Sequence, residues 1–218
     1  MKIFLDTANT ADINANFSTG LIDGVTTNPT LIRRSGRNPE EVYQEIKDIG
    51  VQDISMEVVG DKLNMISEGK RLFKKFGKVA TIKVPCTRDG LAACRELSKE
   101  HINVNVTLIF NAAQAVFSAK AGATYVSPFV GRLDDNSISG LEVVRSIADL
   151  YSRQGIKETQ ILAASIRDVK SVSQSFTNGA NIVTMPAAVF EKMYNHVLTD
   201  VGMDIFKNDW KSVKQDST

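Results

Sequence analysis

The chain is poor in the residues on which most metal, redox and disulfide chemistry depends. Its 218 residues include two cysteines, two histidines and one tryptophan. Cys86 and Cys94 match neither a CxxC pair nor a zinc cluster, and His101 and His196 stand far apart, so the pattern predicts reduced thiols and no metal site. Charge of one sign is also missing: 26 basic residues face 25 acidic ones, which gives no long-range attraction to nucleic acid or an anionic membrane. No apolar run is long enough to span a bilayer, and the opening MKIFLDTANT reaches Asp6 before any stretch of signal-peptide length. A soluble, cytoplasmic protein is the expectation. A phosphate loop and a dinucleotide fingerprint are absent as well, which disfavours an open doubly wound nucleotide-binding sheet.

What the chain does have is strict alternation. Eight strand-like runs follow one another: KIFLD (2–6), GVTT (24–27), DISMEVV (53–59), VATIKV (79–84), INVNVTLI (102–109), TYVSPFV (124–130), TQILAAS (159–165) and ANIVTM (180–185). Helical punctuation fills the gaps. Asn38-Pro39-Glu40-Glu41 offers an N-cap, a proline at the first helical position and carboxylates in the first turn, and Val42, Ile46 and Ile49 then form one apolar stripe. Asn111 with Gln114 resembles a capping box that opens NAAQAVFSAKAG, with Gly122 as its stop, and LEVVRSIADLYSRQ ends at Gly155.

Eight strand–helix units with no linker between them predict one (β/α)8 TIM barrel over residues 1–218, an α/β fold. Beyond the eighth strand lie a helical segment around PAAVFEKMYNHV and an extra C-terminal helix and tail over 198–218. Val201, Ile205, Phe206 and Trp210 share a stripe of that helix, which must be buried on its own barrel or on a neighbour's.

In such a barrel, reactive groups gather at the C-terminal ends of the strands. Asp6 ends the first strand, Asn28 follows the second, Glu57 lies late in the third and Lys83 late in the fourth. Asn105 and Thr107 belong to the fifth, Ser127 and Arg132 to the sixth and its loop, and Ser165 with Arg167 to the seventh. Taken singly, a lysine within VATIKVPCT would be solvent-facing, and each Asp or Asn would be a helix cap. Together they read differently. An amine held in a dry barrel core is costly to charge, and a neutral amine is a competent nucleophile toward a carbonyl. Two carboxylates can move protons beside it, amides and hydroxyls can orient a polyol, and guanidinium groups can grip a phosphate.

The segments FLDTA (4–8), GVTTNPTLI (24–32), SMEVV (55–59), TIKVP (81–85), NVTLIF (105–110), SPFVGR (127–132) and AASIR (163–167) resemble the transaldolase family, in its small subgroup that includes fructose-6-phosphate aldolase. The resemblance runs from Met1 to about Trp210. It implies a (β/α)8 barrel and a class I aldolase mechanism with no metal or cofactor, in pentose phosphate carbohydrate metabolism. By the same likeness Lys83 is the Schiff-base lysine. Asp6 is the acid/base group for the donor's C4 hydroxyl, Glu57 acts through a water, and Thr107 positions that water. Asn28, Asn105 and Ser127 are implied to bind hydroxyls, and Arg132, Ser165 and Arg167 to bind phosphate. The partners implied are sugar phosphates and further copies of the chain, as a pentamer or decamer. At two positions the aldolase branch typically carries Gln and Tyr where this chain has Glu57 and Phe129, which is the transaldolase-type pair. Cys86 and the polar tail from Lys211 onward have no role in the likeness.

Overall fold

The computed structural model describes residues 1–215, so residues 216–218 of the expected tail lie outside the described residues. Eight strands appear where expected: β1 (Lys2–Asp6), β2 (Gly24–Thr26), β3 (Ile54–Glu57), β4 (Ala80–Pro85), β5 (Val104–Ile109), β6 (Tyr125–Pro128), β7 (Gln160–Ala163) and β8 (Ile182–Met185). They pair in sequence order into a closed barrel, β8 returning to β1, and all pairs are parallel.

The helices are α1 (Thr10–Phe17), α2 (Pro29–Ser35), α3 (Pro39–Ile49), α4 (Lys62–Phe76), α5 (Arg88–Lys99), α6 (Ala112–Lys120), α7 (Val130–Asp134), α8 (Gly140–Gln154), α9 (Val169–Thr177), α10 (Ala187–Lys192) and α11 (Val197–Gln215). Their starts follow side-chain chemistry. Asn38 accepts from the Glu40 N–H, with Pro39 at the first turn and Gly50 closing α3 at φ 106°. On the buried face of α3, Tyr43 joins Val42 and Ile46. Asn111 caps the Gln114 N–H as expected, but the Gln114 side chain returns to the Phe110 N–H, one residue earlier than a capping box requires.

Several strands are shorter than their apolar runs, because the chain turns at the barrel rim. β3 stops at Glu57, and Val58-Val59 lead instead into Gly60 at φ 120°; Val59 is exposed. β6 stops at Pro128, and Val130 begins the single-turn helix α7.

The two ends of the lumen differ. At the bottom, Phe4, Tyr125, Leu162 and Ile182 form an apolar plug, with the Tyr125 hydroxyl donating to Asp53 at 2.6 Å. A Cβ on Gly24 would stand 2.6 Å from the Phe4 ring, so glycine is what lets the plug close. Above the plug, Thr26, Ser55, Lys83, Asn105 and Thr184 are buried polar residues within strands. The polar groups of the lumen thus lie above the plug, toward the C-terminal rim.

α11 begins at Val197, and its stripe is not covered by this chain's barrel: Val201, Ile205, Phe206 and Trp210 are all exposed. Among the described residues no helix is long and apolar enough to cross a membrane.

Candidate active site

The lysine of VATIKVPCT points inward. Lys83 is in register with Glu57 on one side and Asn105 on the other, and side chains of registered residues in neighbouring parallel strands share a face. Its Nζ donates to the Thr27 carbonyl at 3.0 Å and stands 3.1 Å from a Glu57 carboxylate oxygen, with the Lys83 side chain 6% exposed. An amine is thus held in the lumen as one half of a close pair with a carboxylate.

Opposite lies Asp6, at the end of β1. Its Oδ1 accepts from the Thr26 hydroxyl at 2.7 Å, and Thr26 in turn stands 2.8 Å from the Thr184 hydroxyl. Thr26 has one hydrogen, so with Asp6 ionised Thr184 must donate to Thr26. Burial pushes the Asp6 carboxyl above the usual carboxylate range, against the lowering effects of the Lys83 charge and the Thr26 hydrogen bond. A carboxylate so placed holds a proton readily.

A polar shelf lies between these groups. Ser127 donates to Asn105 Oδ1 at 2.6 Å, and the Asn105 amide donates to Ser55 at 3.2 Å, which fixes the amide orientation. Asn28 caps α2 through its Oδ1, accepting from the Leu31 N–H at 2.9 Å and leaving its amide N–H groups for a ligand. Thr107 is 1% exposed and its hydroxyl has no protein partner. A buried hydroxyl on the cavity wall without a partner suits a bound water or a substrate oxygen. Just beyond it, β5 shifts register against β6 between Val106 and Ile109, and Leu108 takes φ 60°; this bulge re-aims the strand end toward the cleft.

The cleft above this floor has a volume of about 690 Å³ and includes Glu57, Lys83, Thr107, Phe129 and Arg132 in its wall. That is room for a sugar phosphate of six or seven carbons. The Arg132 guanidinium lies 4.8 Å from the Phe129 ring centre, which packs edge-on to Phe110. Ser165 reaches the cavity wall at φ 59°, its carbonyl accepting from the Gly131 N–H at 3.0 Å.

Ten of the eleven sequence-predicted residues therefore line one cleft, and Arg167 does not. Its guanidinium is gripped through both terminal nitrogens by Asp135. Sequence reasoning missed Thr26, Thr184 and Asp135. Thr26 could have been found, because it precedes Asn28 by two residues on the inward side of GVTTN. Thr184 and Asp135 carry no such local signal.

The chain matches the transaldolase/fructose-6-phosphate aldolase family over residues 3–217. Among curated proteins it is 50% identical over 216 residues to a probable transaldolase of Caulobacter vibrioides, covering 99% of each chain. It is 45% identical over 218 residues to a probable transaldolase of Nitrosopumilus maritimus, covering 100% of this chain and 98% of that one. Among solved structures, a flavocytochrome b2 with sulfite bound is similar with a TM-score of 0.62 at 13% identity. That match spans 85% of this chain and 56% of the other, and it speaks to the barrel fold alone. With a near full-length family match and relatives at half identity over the same span, the chain belongs to the transaldolase/fructose-6-phosphate aldolase family.

Proposed function

We propose that the protein is a transaldolase that moves a dihydroxyacetone unit from a ketose phosphate, such as sedoheptulose 7-phosphate or fructose 6-phosphate, to glyceraldehyde 3-phosphate or erythrose 4-phosphate. The observation that carries this reading is the buried Lys83 amine 3.1 Å from Glu57, with Asp6 across the same cavity. Lys83 gives a proton to Glu57 and its free amine attacks C2 of the ketose. Glu57, through a water held by the open Thr107 hydroxyl, returns protons as the carbinolamine loses water to form the Schiff base. Asp6 takes the C4 hydroxyl proton, the C3–C4 bond breaks, the aldose phosphate leaves, and its bonding electrons pass into an enamine on Lys83. The acceptor aldehyde then reverses the sequence: the enamine carbon attacks, Asp6 returns the proton, and water releases the new ketose.

Asn28, Asn105 and Ser127 orient the hydroxyls of the three-carbon unit, and Arg132, Ser165 and Arg167 receive the phosphate. The reading needs no metal or cofactor, and it carries a cytoplasmic location with it. The exposed stripe of α11 supports assembly with further copies of the chain, a pentamer or decamer.

An aldolase that releases free dihydroxyacetone would share every step up to the enamine. The Phe129 ring at the cleft favours transfer over release, because a phenyl edge holds no water that could protonate the enamine. Incubation with fructose 6-phosphate and erythrose 4-phosphate should yield sedoheptulose 7-phosphate and glyceraldehyde 3-phosphate in equal amounts. Free dihydroxyacetone as the main product would assign the protein to the aldolase branch instead.

A further inference from the structure

We propose that Asp135 holds Arg167 in a closed pair that a substrate phosphate must open, so that this carboxylate sets how strongly the site takes phosphorylated sugars. The inference rests on the reading above, in which Arg167 serves a sugar phosphate.

Three observations carry it. Arg167 alone among the candidate residues lies outside the lining of the cleft, although Ser165, two residues earlier, and Arg132 both reach it. The fork of the guanidinium formed by its two terminal nitrogens is fully engaged by the two oxygens of Asp135. The other edge has a neighbour too: a Cβ on Gly131 would stand 2.9 Å from Arg167 Nε and 3.2 Å from its Cδ, so that edge lies against the α7 backbone. The donor pair best suited to a phosphate is therefore the one that Asp135 occupies.

Asp135 follows α7 directly and is 47% exposed in its side chain, so it can turn to solvent when displaced. Hydrogen bonding from Arg167, reinforced by the charges of Arg167 and Arg132, holds its carboxyl below the usual carboxylate range, so it remains an anion through neutral pH. The exchange is of one anion for another. A phosphate dianion carries more charge than the carboxylate it replaces and is drawn also by Arg132, whose charge already acts on Asp135, whereas a neutral hydroxyl offers no charge to exchange. After transfer, Asp135 reclaims Arg167 and helps the product leave. An internal competitor thus weakens the hold on every phosphorylated sugar by the cost of opening the pair and leaves plain sugars, which do not open it, unaffected.

Asp135→Asn keeps the shape and removes the charge. It should lower KM for fructose 6-phosphate, and the Kd for inorganic phosphate measured by calorimetry, by roughly three- to tenfold, the scale of one charge-assisted contact. Kinetic constants for fructose, which lacks the phosphate, should not change. In an Arg167→Ala background the same substitution should bring no gain. A rise in KM and Kd on Asp135→Asn would mean that Asp135 orients Arg167 for phosphate, which overturns the proposal, as would no change in either. Phosphate binding needs no turnover, so a wild type that binds phosphate but transfers no carbon would refute the transaldolase reading and leave the Asp135 measurement readable.

Discussion

Replacing Lys83 by methionine separates the structural from the chemical role of the buried pair. Methionine matches the lysine stem in bulk but removes the charge, so Glu57 is left without its partner 3.1 Å away and the Thr27 carbonyl loses its donor. Breaking a buried ion pair from one side typically costs about 3–5 kcal/mol. Glu57 is 14% exposed and faces a cleft open to water, so the cost falls below that range, to about 2–3 kcal/mol. For a chain of this length that lowers Tm by about 4–12 °C. Adding Glu57→Gln removes the stranded charge and should restore most of the loss, because neutral replacement of both partners is commonly near neutral. The assay is a double-mutant cycle by thermal unfolding, with transfer activity measured on each protein. Lys83→Met and the double variant should lack activity, and each single variant, which strands one charge of the pair, should be less stable than the double variant. Equal stability of Lys83→Met and wild type would show that no charged pair exists in solution, and the proton hand-off from Lys83 to Glu57 would fall with it.

Two further perturbations test the neighbouring groups. Phe129→Tyr places a hydroxyl at the cleft wall and should raise free dihydroxyacetone relative to transferred product; an unchanged ratio in the same assay removes Phe129 from the argument. Asp6→Asn should lower transfer by at least about a hundredfold, the scale of a general base. Because burial raises the Asp6 pKa in the folded protein, its contribution to stability is full below the unfolded value and is lost as pH rises through the folded one. Asp6→Asn should therefore unfold at a higher temperature than wild type at pH 8, with the advantage vanishing toward pH 4; a constant difference across that range would contradict the assigned cause.

The barrel was legible because its signals are local and repeated. Each strand is a short apolar run between caps that a reader can name, such as Asn38-Pro39 and Asn111, and eight such units leave few ways to close a sheet. The cleft residues were legible for a related reason: Asp6, Asn28, Glu57 and Lys83 are polar exceptions at strand ends. Contacts that depend on closure were not. Thr26 and Thr184 touch across 158 residues of sequence, and only the meeting of β1 with β8 brings them together. Asp135 reaches Arg167 across 32 residues through a one-turn helix that the apolar run TYVSPFV concealed as strand. Strand ends were overrun at Val58-Val59 because hydrophobicity does not record where a barrel rim turns the chain. The stripe of α11 was visible in sequence, but its exposure on this barrel was not.

The central claim is that carbon transfer passes through a covalent bond to Lys83. Borohydride reduction in the presence of fructose 6-phosphate, followed by intact mass spectrometry and peptide mapping, tests it directly. A stable three-carbon adduct is expected on the peptide containing Lys83, absent without sugar or without borohydride. A folded, sugar-binding protein that gives no adduct, or an adduct on another lysine, would contradict it.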